Sequence, residues 1–266
     1  MSLLNITKKI CNKYNIKPAR SKGQNFLINE NVYDEIIKSA DLKKNDIVLE
    51  VGPGLGFLTE KILEKVKKVI AVELDDKLAE MLQHNISTTT TIVNKNILDI
   101  DIKELGLKNN NYKIVANLPY NITSIFLRKF LSSEIKPTSM VLMLQKEVAE
   151  RICAKPPKMS LLSVSVQFYA NPKIIKNVSA NCFWPKPKID SSIIEITGTE
   201  QRHIQNENDF FKLVKKGFSS RRKMLKNNLE NDYHNIKDKL KKVNFNPKIR
   251  AQELSVNDWK KLFGEF

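Results

Sequence analysis

A short apolar run, Asp46-Ile47-Val48-Leu49-Glu50-Val51, breaks into Gly52-Pro53-Gly54-Leu55-Gly56 and then resumes as a helical pattern from Phe57 to Val66. A strand that feeds a glycine turn and then a helix restricts the chain to few architectures. The same alternation continues downstream. Val69–Glu73 reads as a second strand and Asp75–Asn85 as its helix, with Asp75 or Asp76 as the natural cap. Thr91–Val93 and Lys113–Ala116 read as third and fourth strands, followed by a helix near Ser124–Leu131 and a buried strand at Met140–Leu144. Strands alternating with helices predict an α/β sheet that is mostly parallel. The alternating stretches Leu162–Tyr169 and Ser192–Thr197 predict an antiparallel pair that closes it.

The pattern changes near Gly198. Thr199–Asn208 is polar and turn-rich, as a linker would be, and beyond it Phe210, Phe211, Val214 and Phe218 recur at helical spacing. Two domains are expected, residues 1–198 and a small all-α domain at 199–266. Charge is uneven across them. The chain carries 45 Lys and Arg against 29 Asp and Glu, a net +16, and residues 201–266 alone hold 16 against 8. Half the excess thus sits in the last quarter, which favours a basic helical domain that meets a polyanion, nucleic acid before anionic lipid.

Other classes are disfavoured. Cys11, Cys153 and Cys182 form no CxxC pair, and His84, His203 and His234 form no ligand cluster with them. Neither a disulfide scaffold nor a metal site is expected, and the compartment is expected to be reducing. No run approaches the roughly 20 apolar residues that span a bilayer. Residues 1–29 hold six basic residues and no acidic one, without a secretory signal's apolar stretch. They read as a basic arm of a cytoplasmic protein.

The glycine turn lets a ligand approach the backbone closely, and the following helix offers free N–H groups. The dinucleotide fingerprint is not met, because its third glycine would fall at Phe57. A compact GxGxG turn suits S-adenosylmethionine better, since no pyrophosphate needs cradling. Glu73, 21 residues after Gly52 at a strand end, can accept both ribose hydroxyls in either cofactor class. Directly after the fourth strand comes Asn117-Leu118-Pro119-Tyr120. An exocyclic adenine amine is a poor nucleophile because its lone pair is delocalised into the ring. The Asn117 side-chain oxygen and the Leu118 carbonyl can accept its two N–H bonds and free that lone pair, while Tyr120 stacks on a flipped base. Loss of the Asn117 acceptor would cost about 1–3 kcal/mol, or roughly 10- to 100-fold in rate.

Six ordered motifs together resemble the KsgA family of ribosomal RNA adenine dimethyltransferases along nearly the whole chain. They are Gly23–Leu27 (GQNFL), Glu50–Gly56, Asn117–Tyr120, Gln145–Ala149 (QKEVA), Phe183–Ser192 (FWPKPKIDSS) and Arg221–Leu225 (RRKML). The resemblance implies a Rossmann-like methyltransferase sheet and S-adenosylmethionine as cofactor. It assigns cofactor contacts to Asn25, Leu27, Gly52, Gly54, Glu73, Asn96 and Asn117. Asn117 through Tyr120 become the catalytic motif, and Phe183 becomes the second aromatic face around the target base. The Pro-rich flank of Phe183 suits a loop better than a core strand. The implied targets are two adjacent adenines in the 3′-terminal hairpin loop of small-subunit rRNA within an immature subunit. Lys146, Arg151, Lys186, Lys188, Arg221, Arg222 and Lys223 are the expected RNA contacts, and the protein is expected to be monomeric, with no membrane or metal partner. Two positions depart from the family. Asn96 stands where an aspartate is usual, and Met159-Ser160 where Tyr-Gly is usual, before the substrate-facing loop. Three rivals remain. They are an Erm-type enzyme acting on large-subunit rRNA, a non-catalytic assembly or transcription factor on the same fold, and, more distantly, an oxidoreductase.

Overall fold

The computed structural model describes residues 1–18, 23–86, 89–199 and 204–266. Arg20 and Lys22 of the basic arm, and Gln201–His203 of the expected linker, lie outside the described residues. The chain divides into two compact units: Met1–Ala149 with Asn171–Glu200, and Glu150–Ala170 with Gln201–Phe266.

The first unit is built on a seven-stranded sheet. Its strands are β2 (Ile47–Val51), β3 (Lys68–Glu73), β4 (Thr90–Asn94), β5 (Tyr112–Asn117), β6 (Ser139–Gln145), β7 (Asn171–Val178) and β9 (Ser191–Thr197), in the order β4-β3-β2-β5-β6-β9-β7. The β4, β3, β2, β5 and β6 pairings are parallel, whereas β9 runs antiparallel to both β6 and β7. Strand order reverses between β2 and β5, so their carboxyl ends flank the crevice where ligands bind in such sheets. Parallel strands are covered on both faces, which is why Val48, Leu49, Ile114 and Val115 are fully buried. Each such side chain contributes about 1.5–3 kcal/mol by leaving water.

Helices supply that cover. α2 (Glu30–Ser39), capped by Asn29, presents Val32, Tyr33 and Ile36 to the core, and α3 (Phe57–Leu63) adds Leu58 and Ile62. α4 (Asp76–Asn85) begins at Asp75, whose carboxylate accepts from the Lys77 and Leu78 amides, and it buries Leu78 and Leu82. α5 (Thr123–Leu131) follows β5. The basic arm starts as α1 (Leu3–Lys13), with Cys11 buried against Ile16, Leu78 and Leu82. Then β1 (Phe26–Leu27) pairs antiparallel with β8 (Phe183–Trp184).

One strand expected from alternation is a helix. Leu162–Tyr169 lies mostly within α7 (Leu161–Gln167), in the second unit. Ser160 and Ser163 cap each other reciprocally at its start, and the Val164–Phe168 spacing serves a helix face as well as a strand. The partner of β9 is β7, an edge strand whose Pro172, Lys173 and Lys176 suit an unpaired border.

The second unit holds only helices among its described residues. α6 (Lys146–Ile152) enters it at Glu150, and α8 (Glu207–Gly217), α9 (Leu225–Leu229), α10 (Ile236–Lys242) and α11 (Val256–Phe263) complete it. Its core is aromatic. Phe168 packs on Phe210 at 4.8 Å and on Phe211 at 5.0 Å between ring centroids, and Trp259 packs on Phe218 at 5.7 Å.

Candidate active site and basic groove

A cavity of about 200 Å³ opens at the carboxyl ends of β2, β3 and β5, beneath the Gly23–Leu27 segment. The glycine turn forms one wall. Gly54 sits at φ +59°, a left-handed conformation that favours glycine, although a Cβ there would make only ordinary contact with the Phe26 ring at 3.4–3.5 Å. The Gly52 amide donates to the Val72 carbonyl at 2.9 Å, which locks the turn onto β3.

Glu73 is held by that turn. Its carboxylate accepts from the Gly54 amide at 3.1 Å and from the Asp75 amide at 2.9 Å. Burial raises its carboxyl above the usual range, while the backbone donors pull the other way. The oxygens keep lone pairs for a ligand's hydroxyls. Gln24 reaches the same corner, donating to Asp75 at 3.3 Å. Asn25 lines the cavity and donates to the Gly23 carbonyl at 3.2 Å, and Leu27 lines it from the buried side.

Asn117 ends β5, opposite Met143 of β6, so its place is set by sheet register. Asn117 lines the cavity, and its amide makes no side-chain hydrogen bond among the described residues. Leu118 is buried, with its amide donating to the Met143 carbonyl, and Pro119 turns the chain so that Tyr120 also lines the cavity. Gly23, at φ +66°, lies beside this loop, where a Cβ would meet Pro119 and the Tyr120 amide at 3.6–3.7 Å.

Phe183 departs from expectation. It lies in strand β8 rather than a loop, is 3% exposed, packs with Tyr33, Met143 and Val178, and does not line the cavity. Pairing with Leu27 across the small sheet overrides the Pro-rich flank. Asn96 lines the cavity, but its side-chain oxygen already accepts from the Leu98 amide at 3.1 Å and its nitrogen donates to Asp99 at 2.9 Å. The other departure is structural. Met159 is buried, with its amide bonded to the Gln252 carbonyl, and Ser160 is the α7 cap.

Glu50 is a functional candidate that motif reading passed over. It is 1% exposed on an otherwise apolar parallel strand, it lines the cavity, and neither carboxylate oxygen has a hydrogen-bond partner among the described residues. Burial pushes its carboxyl up to about 8, with the nearby Thr59 hydroxyl and Glu73 as lesser influences, although Thr59 makes no hydrogen bond of ordinary geometry to it. A carboxyl inside an apolar run was the available signal.

The second unit carries a different cavity, of about 540 Å³. Arg151, Lys212, Lys215, Lys216 and Arg221 surround it, with Leu161 and Phe218 among its walls. Lys212 pairs with Asp209 and Lys216 with Asp232, whereas Arg151, Lys215 and Arg221 have no ion-pair partner among the described residues. Of the expected RNA contacts, the structure brings Arg151 and Arg221 together here, leaves Arg222 and Lys223 exposed nearby in sequence, and places Lys146, Lys186 and Lys188 in the first unit. The three lysines of α8 were missed because no short motif marks them.

Comparison with known proteins decides the family. The profile described as ribosomal RNA adenine dimethylase matches residues 15–266. The chain belongs to that family. It is 42% identical over 273 residues to ribosomal RNA small subunit methyltransferase A of Dehalococcoides mccartyi strain BAV1, covering 100% of this chain and 94% of the relative. The protein of that name from Clostridium botulinum strain Loch Maree is 39% identical over 265 residues, with 96% of each covered. A dimethyladenosine transferase from Plasmodium falciparum superposes with a TM-score of 0.77 at 28% identity, covering 91% of this chain and 97% of that one. The 23S rRNA methyltransferase ErmE shares the fold, with a TM-score of 0.73 at 22% identity, covering 90% and 98%.

The family implies S-adenosylmethionine, and the residues fit it. The orphaned Glu50 carboxyl is a seat for a cationic group, which the methionine ammonium of that molecule provides. Glu73 has spare acceptors for ribose hydroxyls, and the open turn at Gly52 and Gly54 admits the body of the ligand. No group of three or more metal-ligating side chains occurs among the described residues, and no described helix is long and apolar enough to cross a membrane.

Proposed function

We infer that this chain methylates N6 of adenine in small-subunit ribosomal RNA, twice on each target base. The observation that carries the reading is the Asn117 amide, without a side-chain hydrogen bond among the described residues, across the switch point from the glycine turn and in one cavity with Tyr120. The bound cofactor supplies an electrophilic methyl group on a sulfonium.

Everything else is done by the chain. Glu50, Gly52, Gly54 and Glu73 hold the cofactor, with Asn25, Leu27 and Asn96 around it. The Asn117 oxygen and the Leu118 carbonyl accept the two N–H bonds of the adenine amine and draw its lone pair out of conjugation. Tyr120 stacks on the base, so the amine stays aimed. Such acceptors do not require a general base, because the amine becomes acidic once it carries the new methyl group and then releases its proton to water. Phe183 would offer a second stacking face only by leaving its present core position.

RNA is drawn in by charge. We assign backbone contacts to Arg151 and Arg221 in the groove, joined by Lys212, Lys215 and Lys216, and to Arg222 and Lys223 beyond it, with Lys146, Lys186 and Lys188 on the sheet unit. The substrate we propose is the immature small subunit, with two adjacent adenines of its 3′-terminal hairpin loop as targets and a monomer as the acting species. Full-length relatives named for the small subunit favour it over large-subunit rRNA, for which only a shared fold speaks.

Labelled S-adenosylmethionine offered with undermethylated small subunits, naked large-subunit rRNA and an Asn117→Ala control tests the reading. N6,N6-dimethyladenosine in small subunits, lost in the variant, is expected. Label only in large-subunit rRNA, or none with subunit binding intact, would overturn it.

A further inference from the structure

We propose that Ser191 is a positioning residue that fixes the Tyr120 ring, and that this tether governs the second methyl transfer on a base more than the first. The proposal rests on the reading of N6 methylation above. Tyr120 lines the cavity, and its hydroxyl meets the hydroxyl of Ser191, a residue outside the cavity lining, at 2.8 Å. Ser191 is 0% exposed and opens β9, where it is paired with Gln145 of β6 on one side and Val178 of β7 on the other. The phenol is therefore anchored to the sheet and not to a loop. Seventy-one residues separate the two partners, so no local pattern announces the pair. The base of the same residue is held as well, because the Thr123 hydroxyl donates to the Tyr120 carbonyl at 3.4 Å. Burial raises the Tyr120 phenol, which keeps it neutral and able to share a proton with serine.

The two transfers differ in what holds the amine. An unmethylated amine has two N–H bonds, one for the Asn117 oxygen and one for the Leu118 carbonyl. Each transfer forms an N–C bond from the amine lone pair as the sulfonium C–S bond breaks, with the bonding pair left on sulfur, and one N–H proton passes to water. After the first transfer a single N–H remains. One directional hydrogen bond is gone, and placement of the base leans on the stacked ring. A ring free to tilt thus harms the second transfer more than the first.

Three variants, Tyr120→Phe, Ser191→Ala and the double, test this on undermethylated small subunits in single-turnover reactions. The nucleosides are resolved by mass spectrometry, and cofactor affinity is measured by calorimetry. Tyr120→Phe keeps the stacking ring and removes only the hydroxyl. Each single variant is expected to raise the ratio of monomethyl- to dimethyladenosine about tenfold, the effect of one hydrogen bond, with cofactor affinity unchanged. The double variant should go no further than the larger single one, because both changes remove the same bond. An unchanged ratio in Tyr120→Phe overturns the tether, and so does an additive double variant. If Ser191→Ala fails to fold, Tyr120→Phe alone decides. Absence of N6 methylation by the unaltered protein sinks the parent reading instead.

Discussion

The two cavities are opposites in construction. The one in the sheet unit is made of backbone, glycine turns and two buried carboxyls, each placed by strand register. The one in the helical unit is made of Arg151 on α6, three lysines on α8 and Arg221 in the turn after it, over a few apolar walls. Placement matters in the first, because chemistry at one nitrogen tolerates little displacement. Number of charges matters in the second, because a phosphate backbone is attracted without regard to any single geometry. A protein of this kind can therefore be disabled in two separable ways.

The largest separation should come from salt. If five groove cations each displace a counterion from RNA, raising salt from 50 to 200 mM should weaken subunit binding on the order of a hundredfold or more, while cofactor binding barely moves. Replacing Arg151, Lys215 and Arg221 with alanine should flatten that salt slope by about three contacts' worth, measured by filter binding. Equal salt sensitivity in both cavities would break the comparison. Next, Asn117→Ala should lower turnover roughly 10- to 100-fold with subunit affinity unchanged, as read in single-turnover kinetics.

Glu50 gives a pH effect of intermediate size. Its folded carboxyl sits at about 8 against an ordinary 4.5, so between those values the folded chain holds a proton that the unfolded chain has released. Stability of the cofactor-free protein should then fall as pH rises from about 4.5 to about 8 and level off above, and Glu50→Gln should remove several degrees of that dependence in thermal melts. Cofactor binding at pH 7 should release a proton when the ammonium meets Glu50, seen as a buffer-dependent heat in calorimetry and absent in Glu50→Gln. The smallest effect is expected for Asn96→Asp. It should change cofactor affinity only a few-fold, because the Asn96 amide is already tied to Leu98 and Asp99.

Residues whose meaning is local were legible without coordinates. The strand at Ile47–Val51, the turn at Gly52–Gly56, the Asp75 cap and the Glu73 and Asn117 strand ends follow from apolar runs, glycine punctuation and capping chemistry. The signals that mark them lie within a few residues of each in the sequence. The basic excess of the last quarter was equally plain, since charge can be counted.

Other features depended on which distant segments meet. Leu161–Gln167 satisfies both a strand and a helix period, and the Ser160–Ser163 cap together with packing in the helical unit chose the helix. Phe183 was buried by its pairing with Leu27, and Arg151 was brought to Arg221 by the grouping of residues 150–170 with the C-terminal helices. The isolation of Glu50 and the Tyr120–Ser191 bond arise only when strands are laid side by side. The sequence by itself determined most of the parallel sheet's elements, the turn chemistry and the overall charge, because these depend on interactions spanning a few residues. Only the tertiary structure decided burial and side-chain partnership, because those are set by contacts between residues scores apart, which no local period encodes.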